Sequence, residues 1–173
     1  MRSPGRSIVT VLVVWQGIAL AALPAWASAA KPPPGQFLHV RSAARTVELT
    51  MIAADTAENN GFNFDGYGRG ELLVRVPMGW RVTVRFRNVG PLLNSCAVVT
   101  GPGATTVAFP GASTPSPLRG LAEGASASFS FVASRVGVFR LASVVPGHEQ
   151  ARMWDVLEVQ RGGRPSISAR SGP

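Results

Sequence analysis

The sequence predicts an all-β fold, an antiparallel Greek-key β-sandwich in outline, from three observations. Apolar residues recur at every second position through most of the chain, no segment beyond the N-terminal stretch sustains a period of 3.6, and glycine and proline clusters cut the chain into short runs. In chain order, residues 47–51 alternate Val47, Leu49 and Met51 with Glu48 and Thr50. Residues 73–76 form a short apolar run, and in 82–86 Val82, Val84 and Phe86 alternate with Thr83 and Arg85, flanked by Arg81 and Arg87. Runs at 96–99, 105–109, 126–132, 136–141 and 154–159 complete a set of about seven to nine strands, a usual number for such a sandwich. Turn signals separate them at Asn60-Gly61, Pro77-Met78-Gly79, Gly101-Pro102-Gly103 and between Pro115 and Gly120.

The ends read differently. Arg2 and Arg6 precede a nearly continuous apolar stretch at 8–22, and Pro24 precedes Ala25-Trp26-Ala27, a small-x-small pattern of the kind signal peptidases cut. Residues 1–29 are read as a signal peptide; the competing reading is an uncleaved membrane anchor, since no charge falls between Arg6 and Lys31. Either way the following domain is expected outside the cytoplasm, in the periplasm or extracellular, touching membrane only through this segment if it stays uncleaved. Residues 30–40, with Pro32, Pro33 and Pro34, read as a stiff spacer, 41–160 as the domain, and 161–173 as a disordered tail carrying Arg161, Arg164 and Arg170.

With 173 residues and 46% of them hydrophobic, the chain can bury one core, which excludes wholesale disorder. The net charge of +8 comes almost wholly from arginine. It fits either a solvated surface or an acidic protein partner in the periplasm or at the membrane surface. No aromatic residues interleave with a basic helix, so nucleic-acid binding is not expected. Cys96 is the single cysteine, so no intramolecular disulfide can form.

Two segments narrow the reading: Gly61-Phe-Asn-Phe-Asp-Gly-Tyr-Gly68 followed by the run at 70–86 containing Val76-Pro-Met-Gly-Trp80, and Val145-Pro-Gly-His-Glu-Gln-Ala-Arg-Met-Trp154. Together they resemble the sulfocyanins, blue-copper members of the cupredoxins, over residues 46–159. The resemblance implies electron transfer through copper held by two imidazoles, a thiolate and a weak axial thioether. It implies a first histidine in a Leu-Pro-His-Ser setting, then a loop spaced Cys-x4-His-x4-Met. His148 and Met153 match the second histidine and the methionine; Ser143 stands at the cysteine, and Asn94, in Pro91-Leu-Leu-Asn-Ser-Cys96, at the first histidine. A serine hydroxyl is a hard, weak ligand for Cu(I), and an asparagine amide has little affinity for copper. A normal blue-copper centre is not expected, and copper should bind weakly or not at all.

Cys96 leaves a second route. If 94–99 is a strand, Cys96 faces the same side as Asn94, about 7 Å further along, and offers a replacement thiolate for a site with His148 and Met153. A two-residue slip of the match would put Cys96 itself at the first ligand position. The opposing reading is a small core cysteine. His39 is a spare imidazole near the spacer. Ser143 and His148 invite comparison with a nucleophile–base pair, yet no acid has an evident place to orient His148 and no oxyanion glycine motif surrounds Ser143, so enzymatic activity is not expected. Two functions remain: a binding or structural module of an extracytoplasmic redox system, or a copper protein with an altered, non-blue site serving copper carriage or electron transfer.

Overall fold

A computed structural model describes residues 31–171; the signal segment expected over 1–29 lies outside them. Among the described residues there are nine strands: β1 (Leu38–Arg41), β2 (Thr46–Ala53), β3 (Leu72–Pro77), β4 (Arg81–Asn88), β5 (Ala97–Val99), β6 (Ser126–Val132), β7 (Gly137–Ala142), β8 (Trp154–Gln160) and β9 (Ser166–Ala169). They form two sheets, ordered β1-β2-β4-β6 and β5-β7-β8-β3-β9. The alternation in sequence becomes the alternation of faces: Val47, Leu49, Met51 and Ala53 of β2 and Val82, Val84 and Phe86 of β4 point inward. They join Val74, Val76, Phe139, Leu141 and Leu157 of the opposite sheet in one core. The sandwich is therefore as expected, with one refinement. Because β3 crosses to the second sheet between β2 and β4, those two run parallel, as do β3 and β8, while the other pairings are antiparallel.

Three boundaries differ from the sequence reading. The spacer expected over 30–40 is packed on the domain: Phe37 is buried, Tyr67 donates its hydroxyl to the Pro32 carbonyl at 2.6 Å, and β1 pairs with β2. β1 is an edge strand with mostly exposed side chains, so it leaves no apolar stripe to read. The tail expected to be disordered from 161 contains β9, which pairs with β3, and the Arg170 side chain donates to the Gly70 carbonyl at 2.8 Å. Only Ile167 of β9 packs against buried residues, so its alternation is too thin to register. Residues 105–109 form no strand; Val107 makes a single bridge to Val99, and Phe109 is an anchor whose ring lies 5.2 Å from Phe131 and 4.8 Å from Phe139.

The Asn63-Phe-Asp-Gly-Tyr motif is a structural turn. Asp65 sits at φ 55° and Gly66 at φ 79°, the left-handed region that Gly adopts freely and Asp tolerates. Asn63 donates to the Thr56 and Glu58 carbonyls and accepts from Gly66 N–H, while Asp65 Oδ1 accepts from Ile52 N–H at 2.8 Å. The other carboxyl oxygen of Asp65 is buried without a partner. Burial is the main cause that pushes Asp65 up to about 8.

That shift carries a sign. The carboxyl binds more protons in the folded than in the unfolded chain between about pH 4 and pH 8, so its contribution to stability falls as pH rises through that window. Asp65→Asn keeps an acceptor for Ile52 and cannot ionise. Urea denaturation should find it gaining at least about 1 kcal/mol on the wild type between pH 4 and pH 8; a difference that stays constant would show that folding leaves Asp65 unshifted.

Candidate metal centre

The loop expected to carry the site joins β7 to β8, whose paired ends, Ala142 opposite Trp154, fix where it starts and stops. Pro146 and Gly147 make a tight turn closed by His148 N–H on the Val145 carbonyl at 3.1 Å. Gly147, at φ 90°, supplies the positive φ that such a turn needs at its third position. His148 then accepts at its carbonyl from Met153 N–H at 2.9 Å, and Met153 accepts from Ser143 N–H at 3.2 Å. These two bonds lace Ser143, His148 and Met153 together and account for the regular spacing.

A clamp holds the loop from outside. Arg140 of β7 forms an ion pair with Glu149, and its guanidinium lies 3.8 Å from the centre of the Trp154 ring. The second oxygen of Glu149 accepts from Gly103 N–H at 2.7 Å. Trp154 in turn occupies the space over Gly70, where an added Cβ would come within 2.5 Å of its ring. The two motifs that carried the family resemblance are thus in contact.

Inside the loop the polar atoms satisfy one another. Ser143 Oγ lies 3.0 Å from His148 Nδ1, 3.4 Å from Ser95 Oγ and 3.2 Å from Ser95 N–H, which donates to it. Ser95 Oγ accepts from Val144 N–H at 3.1 Å. One proton arrangement gives every one of these donors an acceptor: Ser95 O–H to Ser143, and Ser143 O–H to His148 Nδ1. The imidazole is packed edge-on against Phe62 with ring centres 5.2 Å apart, and burial holds His148 below its ordinary pKa, so it is neutral at pH 7.

The remaining sequence candidates go elsewhere. Asn94 is buried, but its amide donates to Asn88 Oδ1 at 2.9 Å and to the Leu92 carbonyl at 3.1 Å, and its backbone bridges Leu121. Since β5 begins only at Ala97, residues 94–96 do not continue its ladder, and Ser95 rather than Asn94 meets Ser143. Cys96 is fully buried in the main core, its N–H donating to Thr114 Oγ1 at 3.3 Å. Burial pushes its thiol far up, which keeps it protonated. His39 stands opposite Glu48 in the other sheet. Among the described residues no group of three or more His, Cys, Asp or Glu side chains is placed to hold a metal. Glu149 and Asp155, the nearby acids, serve Arg140 and the Leu72 N–H.

A sequence model of the sulfocyanin (SoxE) domain matches residues 33–163. The chain belongs to the sulfocyanin family. Sulfocyanin from Sulfolobus acidocaldarius is 30% identical over 128 residues, 67% of this chain, which spans 64% of that relative's length. Among solved structures, reduced rusticyanin aligns with a TM-score of 0.50 and 16% identity over 72% of this chain and 91% of its own. Blue copper oxidase from Nitrosomonas europaea aligns with a TM-score of 0.52 and 22% identity over 65% of this chain but 38% of its own. These likenesses concern the fold alone. Within the sulfocyanin pattern, sequence reasoning missed Ser95, Asn88 and the Arg140–Glu149 clamp, none of which belongs to a metal-ligand motif.

Ser143→Ala removes the acceptor of a buried N–H together with the bond to His148, at an expected cost of about 1–3 kcal/mol. The exposed Ser130→Ala should stay within about 0.5 kcal/mol of wild type. Equal midpoints for the two variants in chemical denaturation would show that the serine network contributes nothing to stability.

Proposed function

We propose that this sulfocyanin-family chain is a binding or structural module of an extracytoplasmic redox system, in which a hydrogen-bonded network stands where a type 1 copper centre would be. The observation that carries this reading is Ser143 Oγ at 3.0 Å from His148 Nδ1, the hydroxyl occupying the position the family gives to a thiolate. A copper ion there would meet one imidazole, one thioether and hydroxyls, a donor set without the soft thiolate that makes such a site strong. The imidazole nitrogen that faces Ser143 has its lone pair engaged by the hydroxyl proton. Asn94 turns its amide to Asn88, and Cys96 is a protonated core thiol. The residues present do not fit the group, so bound copper should be weak or absent.

What the same end of the sandwich does offer is apolar surface. Leu92, Leu93 and Leu118 are 52%, 46% and 53% exposed. The turn at 116–120 packs Gly120 against Leu93 and Val145, which brings the leucines to the rim of the 143–153 loop. Such a patch beside a rigid loop suits a protein partner. The expected setting is the periplasm or the cell exterior, on the strength of the apolar segment and cleavage pattern at 1–29.

Anaerobic titration of the purified protein with Cu(I) and with Cu(II), followed by desalting, tests this. The wild type should retain no stoichiometric copper and show no intense visible band, whereas Ser143→Cys combined with Asn94→His should gain a thiolate-to-copper band. Stoichiometric copper in the wild type, lost in both His148→Ala and Cys96→Ser, would instead establish the altered, non-blue site and a role in copper carriage or electron transfer.

A further inference from the structure

We infer that the outer face of the β1-β2-β4-β6 sheet is a docking surface for an acidic protein segment, separate from the leucine-rimmed end. Strand register sets its composition. Across the sheet, Arg41, Thr46, Arg81 and Val132 lie in one row; His39, Glu48, Thr83 and Ser130 in the next; Thr50, Arg85 and Ser128 in a third; and Ile52, Arg87 and Ser126 in a fourth. Paired residues share a face, so all of these side chains point away from the core. A solvated outer face is polar in any antiparallel sandwich, but an ordinary one mixes both signs of charge. This one carries four guanidinium groups against one carboxylate. Glu48 pairs with Arg85 at 2.6 Å, and among the described residues Arg41, Arg81 and Arg87 form no ion pair within contact distance. On the opposite sheet, by contrast, Arg75 is paired with Glu158 at 3.0 Å.

One feature, the shape of the face, favours a protein segment over a lipid headgroup layer. The guanidinium groups, interleaved with serine and threonine hydroxyls on a rigid backbone, read carboxylates and phosphates alike by paired hydrogen bonds. Glu48 already holds Arg85 on this face, through a single contact at 2.6 Å. The surface is also hollowed: a cleft of about 520 Å³ runs between Thr50, Ile52, Arg85, Arg87, Ser126 and Ser128. A protruding acidic chain with one apolar side chain can seat there, Ile52 taking the apolar part and Arg87 the charge. This inference goes beyond the proposed module because the face shares no residue with the 143–153 loop, and it holds whether or not copper binds.

The test uses poly-L-glutamate as the probe, at low and then rising ionic strength, on three folded proteins with matched circular dichroism. These are the wild type, Arg81→Glu with Arg87→Glu on the face, and Arg161→Glu with Arg164→Glu, which makes the same change in net charge at exposed positions elsewhere. Binding that falls about tenfold or more in the face variant, and less than about threefold in the control, supports the docking surface. Equal losses would reduce the effect to net charge and overturn it, as would absence of binding by the wild type. Co-sedimentation with phosphatidylglycerol vesicles that depends on Arg81 and Arg87, with no binding of poly-L-glutamate, would overturn it in favour of a lipid surface. The copper titration reads other residues, so either result can fail alone.

Discussion

The inward stripe shared by β2 and β4 is the constraint on which the rest of the molecule depends. Side chains alternate strictly along a strand, so a slip of one residue would turn Val47, Leu49 and Met51 out to water and bring Glu48 and Thr50 in. Burying each large aliphatic side chain is worth about 1.5–3 kcal/mol, and several act together, so the register has no competitor. The same core holds Phe139 and Leu141 of β7 and Leu157 of β8. Through them it sets the pairing of Ala142 with Trp154, and hence the two points from which the 143–153 loop is hung. The loop owes its position to apolar residues remote from any chemistry.

Holding a polar loop at the end of an apolar core creates a second demand: each buried donor must find an acceptor. Three layers of bonding meet it. The backbone ties His148 to Met153 and Met153 to Ser143, the hydroxyls of Ser143 and Ser95 fill the interior, and Arg140 with Glu149 closes the outside. The ion pair is largely withdrawn from water, where losing one partner costs far more than at an open surface. Arg140 also covers the face of Trp154, so one arginine serves charge and packing at once.

Strands that bury several side chains were legible in the sequence, and those that bury almost none were not. β2, β4 and β6 each alternate over seven or eight residues and were evident. β1 and β9, four residues each at sheet edges, bury too little to leave a period, so one was absorbed into a proline spacer and the other into a tail. The run at 105–109 misled in the opposite direction, because Val107 and Phe109 are anchors of a loop rather than members of a ladder. At the loop, the regular spacing of Ser143, His148 and Met153 coincides with the backbone bonds that join them. Parity failed one strand away: it assumed that 94–96 continue β5, and the irregular bridge at Asn94 instead brings Ser95 to Ser143. Nothing along the chain announces that Glu149 has Arg140 and Gly103 N–H as its partners.

In the proposed reading, the serine and the asparagine at the two altered positions each answer the hydrogen-bonding demand of their own surroundings. A thiolate without a metal would be an unpaired buried charge beside a neutral imidazole, and a protonated thiol would be a poor donor to His148 and a poor acceptor for Ser95 N–H. A hydroxyl does both, and at 3.0 and 3.2 Å it does so at ordinary hydrogen-bond lengths. An imidazole at position 94 would also lack what the asparagine supplies there, two amide protons for the Asn88 side chain and the Leu92 carbonyl. Asn88, fixed by these bonds, accepts from Gly90 N–H and donates to the Leu92 and Leu121 carbonyls, which shapes the turn carrying the exposed leucines. The polar atoms that a copper ion would otherwise organise are organised by one another, and the surface they support is the one left free to meet a partner.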